Sequence, residues 1–195
     1  MDIFTTFLLV AVFCFTVVFW LKRGENKHRY QKTKMVDHFI EKNHIHVSKL
    51  YSGMYCDIIN DTKNQSIWFF VLEQLTLKYK QIHYDDLFYV AYKLDGKPVE
   101  VASRDGQIKR QMLGGDGPNV ADMPPLVRRE DIKVVKEISL TIIVDDRHAS
   151  VIDLLFVMHP FFADVNHVKD VDAKIWFNIF SEIIEHNEKK LLQGE

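Results

Sequence analysis

This chain has few cysteines and a low net charge, and each of these features excludes a class of protein. Two cysteines cannot form a disulfide scaffold or a four-cysteine zinc site. The chain has 25 lysines and arginines against 27 aspartates and glutamates, and 47% of its residues are hydrophobic. It is therefore too apolar and too nearly neutral to be disordered. Its 195 residues suit one domain with a short appendage.

The sequence also lacks a catalytic motif and a metal-binding spacing. No motif ties Cys56 to a general base, and it lies in a β-rich segment. His44 and His46 are the only close histidine pair, and no spacing pattern supplies the two further ligands that zinc requires. We therefore predict a protein that is not an enzyme and has no catalytic, cofactor-binding or metal-binding residues.

The N-terminal segment is a long apolar run. Ile3 to Leu21 contains nineteen residues without a formal charge, and as a helix it would extend roughly 28 Å, close to the ~30 Å hydrocarbon core of a bilayer. No basic residue precedes the run and no A-x-A-like site follows it, which disfavours a cleaved signal peptide. The sequence therefore predicts a transmembrane anchor over residues 1–22.

Basic residues follow this run but do not precede it. By the positive-inside rule the N-terminus lies outside and the rest of the chain in the cytoplasm. Residues 23–48 are predicted to form a basic juxtamembrane linker or helix. Six cations are predicted to contact the membrane surface: Lys22, Arg23, Lys27, Arg29, Lys32 and Lys34.

The remainder of the chain is acidic. Residues 1–34 hold six basic and two acidic side chains, which leaves 19 basic and 25 acidic side chains, a net charge of −6, in residues 35–195. Phosphate contacts require clustered lysine and arginine, so a nucleic-acid partner is excluded as the default.

Short β-rich segments separated by turn residues make up most of this acidic part. Glycine and proline interrupt the pattern over about 103–131, which predicts a long loop. An apolar stripe with a period of four residues predicts a C-terminal amphipathic helix from Asp172, its N-cap, to Leu192. The predicted strands are Met54–Ile59, Ser66–Leu72, Leu75–Ile82, Leu87–Leu94, Val99–Ala102, Ile138–Val144 and Val151–Met158.

Four stretches resemble bacterial pleckstrin-homology-like (PH-like) domains across about residues 50–188. They are SGMYCDIINDTKNQSIWFF, QIHYDDLFYVAYKLDGKPV, ISLTIIVDDRHASVIDLLFV and AKIWFNIFSEII. The resemblance implies an α+β fold, in which the transmembrane helix precedes a mainly antiparallel PH-like β-sandwich or barrel over 49–195. A C-terminal amphipathic helix caps this domain.

The function that this resemblance implies is binding. We predict a docking or regulatory module that binds a protein partner at the cytoplasmic face of a bacterial inner membrane, as a subunit of a membrane complex. The candidate partner interface is Phe161, Phe162 and Trp176. The loop between Asn60 and Gln65 offsets its single cation Lys63 with Asp61, which argues against a phosphoinositide site.

Two alternatives remain open at this point. The first is a membrane-tethered hydrolase or nucleotide-processing domain that uses the 103–131 loop, and it requires acids and histidines that converge beside that loop. The second is a lipid-headgroup sensor, which requires a basic pocket.

Overall fold

A computed structural model describes residues 3–53, 56–104, 135–145, 151–158 and 167–193. The described residues form two helices, eight strands and one 3-10 turn, an α+β composition. In chain order they are α1 (Ile3–Asn43), β1 (Lys49–Ser52), β2 (Asp57–Asp61), β3 (Ser66–Glu73), β4 (Thr76–His83), the 3-10 turn (Tyr84–Asp86), β5 (Leu87–Leu94), β6 (Lys97–Ser103), β7 (Glu137–Val144), β8 (Val151–Met158) and α2 (His167–Gln193).

The chain divides into two compact units. The first consists of Met1–Ile45 together with Leu72–Leu77, and the second consists of His46–Val71 together with Lys78–Glu195.

In the first unit, α1 continues without a break into the predicted juxtamembrane segment. It ends at Asn43, where His44 adopts a left-handed backbone conformation with φ of 53°. The amide of Ile45 donates to the Ile40 carbonyl at 3.1 Å, and that of His44 donates to the Glu41 carbonyl at 3.3 Å. These two bonds form a Schellman motif, which satisfies carbonyls at the helix end.

The predicted transmembrane anchor is wrong. Within the described ranges, no helix has both the length and the continuous apolar character that crossing a bilayer demands. The apolar run from Ile3 is only the first part of a 41-residue helix, whose second part is rich in charged residues. The single-pass topology and the inner-membrane localisation depended on that anchor, and they are corrected with it.

The eight strands form two antiparallel sheets. The first sheet has the order β1-β2-β3-β4, and the second has the order β6-β5-β7-β8. In the first sheet Ile58 pairs with Phe69, and in the second Val90 pairs with both Ala102 and Ile142. In the part of the chain that the structure describes, β6 therefore lies at an edge of the second sheet.

Most predicted strands are confirmed within one to three residues. The prediction for Leu87–Leu94 is confirmed to the residue, and the return strand after the Asp95-Gly96 turn is confirmed as β6. β1 was not predicted. The C-terminal helix is already formed at His167, so Asp172 lies inside it and is not its N-cap. Residues 105–134, most of the predicted long loop, lie outside the described residues.

The core of the second unit combines both sheets with the apolar face of α2. Trp176 and Phe180 lie in it with ring centroids 6.0 Å apart, and the Phe180 ring also stacks on Phe69 of β3 at 6.4 Å. Tyr92 and Leu140 contribute from the second sheet. The amphipathic stripe read from the sequence is thus the face that α2 buries.

Candidate peptide-binding groove

An open groove of about 530 Å³ runs between the edge strand β6 and α2. One wall is the β6 segment Val99–Ala102, and the other consists of side chains from successive turns of α2. The helix contributes Phe177, Asn178, Ser181, Glu182 and Glu185. The groove therefore combines an apolar base with polar and acidic walls.

The backbone of β6 presents hydrogen-bonding groups at the open edge. The Arg104 amide donates to the Phe88 carbonyl at 3.0 Å, so Arg104 directs its backbone amide towards β5. Because hydrogen-bonded and non-hydrogen-bonded pairs alternate in antiparallel strands, Ala102 and Glu100 also direct their backbone groups towards β5. The N–H and C=O groups of Val101 and Ser103 consequently point away from β5.

One end of the groove is closed by an ion pair between its two walls. The Lys174 ammonium contacts the Glu100 carboxylate. It also lies 5.5 Å from the ring centroid of Tyr92 and 5.1 Å from that of Phe177, where cation–π attraction adds to the ion pair. Below it, the Tyr92 hydroxyl donates a hydrogen bond to the buried Asp170 carboxylate.

A single carbonyl connects both walls at the other end. The Tyr84 carbonyl accepts a hydrogen bond from Asn187 Nδ2 of α2 at 2.6 Å, and one from the Arg104 guanidinium just beyond β6 at 3.3 Å. Burial lowers the pKa of Arg104, although neighbouring carboxylates act in the opposite direction. The guanidinium lies 4.8 Å from the Phe88 ring centroid. Strand and helix are therefore held at a fixed separation.

Only Trp176 of the three sequence-predicted interface residues lies in the described part of the chain, and it does not line this groove. Phe161 and Phe162 lie outside the described residues. Trp176 is only 2% exposed and packs in the core, so its ring is not available to a partner. The interpretation failed because a large aromatic on an amphipathic stripe belongs to the buried face of the helix.

The six basic residues predicted to contact a membrane all lie on α1, and they differ in their exposure to solvent. Arg23, Lys27, Arg29 and Lys34 are exposed, whereas Lys32 is 2% exposed. Lys22 belongs to the part of α1 whose side chains are not described. The membrane contact predicted for these residues depended on the anchor that the structure does not support.

The described ranges hold no candidate metal centre. No group of three histidine, cysteine, aspartate or glutamate side chains there is arranged to hold a metal ion. One serine–histidine contact is present in the described residues, where Ser48 Oγ lies 3.3 Å from His46 Nδ1. The Asp61 carboxylate accepts from the backbone amide of His46 rather than from its ring, so the three residues do not form a triad.

Sequence reasoning missed the acidic wall of the groove. Glu182 and Glu185 lie beside the apolar stripe of α2, and their spacing of three residues is visible in the sequence. Their role depends on β6 being an edge strand next to α2. Strand order is set by pairing across the sheet, which local patterns do not reveal.

Comparisons of the chain with protein-family models, with curated proteins and with solved structures found no match. The PH-like resemblance therefore stays a prediction, and the groove is interpreted from its own geometry. That geometry is an exposed strand edge beside an acidic helix face, over an apolar base.

Proposed function

We propose that this protein is a docking module that binds an extended segment of a partner protein as an additional strand on β6. The observation that carries the proposal is the edge position of β6 directly beside the groove. Strand addition to a sheet edge is a common mode of peptide recognition, in which backbone hydrogen bonds give affinity and alternate side chains give specificity.

The pairing-competent part of β6 is its second half. Its first half contains Pro98, which has no amide hydrogen, and the pairing with β5 is irregular next to Tyr92 and Lys93. The outward groups of Val101 and Ser103 offer two donors and two acceptors to a partner strand. At about 1 kcal/mol for each hydrogen bond, backbone pairing contributes about 4 kcal/mol.

That contribution is too small for a stable complex, because association itself costs roughly 4–15 kcal/mol. The remaining affinity must come from side chains of the partner that enter the groove. In a strand, alternate side chains point to the same side, so every second residue of the partner faces α2. The groove therefore selects the partner, and the edge of β6 holds it.

Two substitutions at Val101 in β6 test this proposal. Val101→Pro removes an outward amide without breaking the ladder to β5, and Val101→Ala is the matched control that keeps this amide. Peptides selected from a random ten-residue display library on the full chain are expected to bind the alanine variant. They are expected to lose at least about ten-fold in affinity for the proline variant.

Hydrogen exchange locates the bound peptide on the full chain. The amides of Val101 and Ser103 are expected to gain protection, because strand addition gives them a partner. Peptides that bind both variants equally and leave these two amides unprotected would contradict strand addition. A selection that yields no binding peptide would contradict the docking function itself.

A further inference from the structure

We infer that the segment bound by this groove is basic, with lysine or arginine at the alternate positions that face α2. The inference rests on the strand addition proposed above and specifies the chemistry of the partner. The observation behind it is the unequal neutralisation of the three glutamates that line the groove.

One of the three glutamates is already neutralised within the domain. Lys174 pairs with Glu100 and is held over two aromatic rings, so the charge of the Glu100 carboxylate is offset within the domain. Within the described residues, no cation lies within ion-pair distance of Glu182 or Glu185. Both carboxylates are exposed on successive turns of α2, along the wall that faces the strand edge.

The surroundings of these two glutamates do not cancel their charge. Lys189 lies one helical turn beyond Glu185 and is exposed, but it is not within ion-pair distance of that carboxylate, and the charge of Glu188 acts on the buried Arg104 guanidinium. Of the other side chains that α2 contributes to the groove, Asn178 and Ser181 are polar and uncharged, and Phe177 is apolar. The wall that meets a bound strand is therefore negative.

Strand geometry matches this wall to a basic segment. Residues two apart in a strand are about 6.7 Å apart on one face, and Glu182 and Glu185 are about 4.5 Å apart along the helix axis. The flexible stems of lysine and arginine bridge such a difference. An acidic segment would be repelled, and a second copy of this chain would bring the same glutamates towards each other.

Three synthetic peptides test the inference on the full chain. Each has ten residues and alternates threonine with lysine, glutamine or glutamate, and binding is followed by fluorescence polarisation in 50 mM and 300 mM NaCl. In low salt the lysine peptide is expected to bind about ten-fold more tightly than the glutamine peptide, and the glutamate peptide least tightly. The advantage of the lysine peptide is expected to shrink in high salt.

A charge-matched pair of double variants locates the effect. E182Q/E185Q is expected to abolish the preference for lysine over glutamine, whereas D37N/E41Q, which removes two exposed charges from α1, is expected to leave it intact. An equal loss in both variants would show that only the net charge of the chain matters, and would overturn the inference.

The results also separate this inference from the proposed function. If all three peptides bind equally and protect the amides of Val101 and Ser103, strand addition stands and the charge preference is wrong. If none of the peptides binds and neither amide gains protection, both proposals are wrong. Self-association of the chain that competes with the lysine peptide would instead identify a second copy as the occupant.

Discussion

Among single residues, Tyr84 has an unusual number of structural contacts for a residue in a short connection. Its hydroxyl donates to the Asn60 side chain on β2, and burial raises the pKa of this hydroxyl. Its carbonyl accepts from Arg104 and Asn187, and its amide donates to the Gln65 carbonyl at 2.9 Å. One residue therefore joins the first sheet, the end of β6 and α2.

Asp61 gives the protein a predicted dependence of stability on acid. Burial by itself raises the pKa of this carboxyl. Hydrogen bonds from the side chain and amide of Asn64, and from the amide of His46, lower the pKa by more, so that it lies below 3.8. The stabilisation is therefore present above about pH 4 and is lost as the pH falls towards the folded-state pKa.

Urea unfolding between pH 7 and pH 3 measures this loss. The Asp61→Asn variant is expected to be less stable than the native chain at pH 7 and to lose less stability as the pH falls below 4. Asp37→Asn, an exposed substitution on α1, controls for the change in charge. Parallel pH profiles for the native chain and the Asp61 variant would show that this carboxyl is not responsible.

At the scale of elements, two hairpin turns show why some connections are easier to predict than others. Asp95 and Gly96 both have positive φ, 50° and 73°, and Asp-Gly is typical of such a turn. Gln74 and Leu75 adopt similar backbone angles, 46° and 67°, between β3 and β4. Neither glutamine nor leucine favours a positive φ, so the local sequence does not predict the turn between β3 and β4.

The same glycine-to-alanine change is expected to have opposite effects at two positions. A Cβ at Gly96 meets no atom within 4 Å, so Gly96→Ala costs only its left-handed backbone strain, about 1 kcal/mol of unfolding free energy. Gly24 lies within α1 and is equally open, so Gly24→Ala increases helix stability by roughly 0.5–1 kcal/mol.

Circular dichroism melting at 222 nm distinguishes the two variants. The unfolding midpoint falls for Gly96→Ala, and the helix content or the midpoint rises for Gly24→Ala. A fall in both variants would indicate that the space around Gly24 is more restricted than the structure shows.

For the molecule as a whole, Phe180 joins α2 to the first sheet within a core that residues of the second sheet also line. Its side chain is fully buried and contacts rings from β3 and from α2 itself. Phe180→Ala is expected to cost about 3–5 kcal/mol and to lower the stability of both sheets together. Val171→Ala, on the exposed side of α2, is expected to change stability by less than about 0.5 kcal/mol.

Tryptophan fluorescence during urea unfolding follows this change in chains that also carry Trp20→Phe, because the two remaining tryptophans, Trp68 and Trp176, report on β3 and α2. A single transition at lower urea is the expected result for the Phe180 variant. Two separate transitions would contradict a core shared by the helix and both sheets.

Local patterns predicted most strands and the buried stripe of α2, because alternation and the period of four residues are direct consequences of burial. They did not predict that β6 is an edge strand, or that Glu182 and Glu185 would border it, because pairing partners are distant in sequence. The apolar run at the N-terminus misled the prediction, because a window ending at Leu21 ignores the charged second part of the same helix.

The position of β5 between β6 and β7 has a consequence for folding kinetics. Both neighbours are antiparallel to β5, so β6 and β7 run in the same direction. β6 joins β5 through a two-residue turn. The pairing of β7 with β5 instead joins residues about fifty positions apart in the sequence, such as Val90 and Ile142. Closing that longer loop costs about 2.5 kcal/mol more in chain entropy.

The β5–β6 hairpin should therefore form early, and the arrival of β7 should limit the folding rate. Until β7 arrives, both sides of this hairpin are unpaired. A newly made chain thus exposes strand edges before its sheet is complete, and premature encounters there favour aggregation over folding.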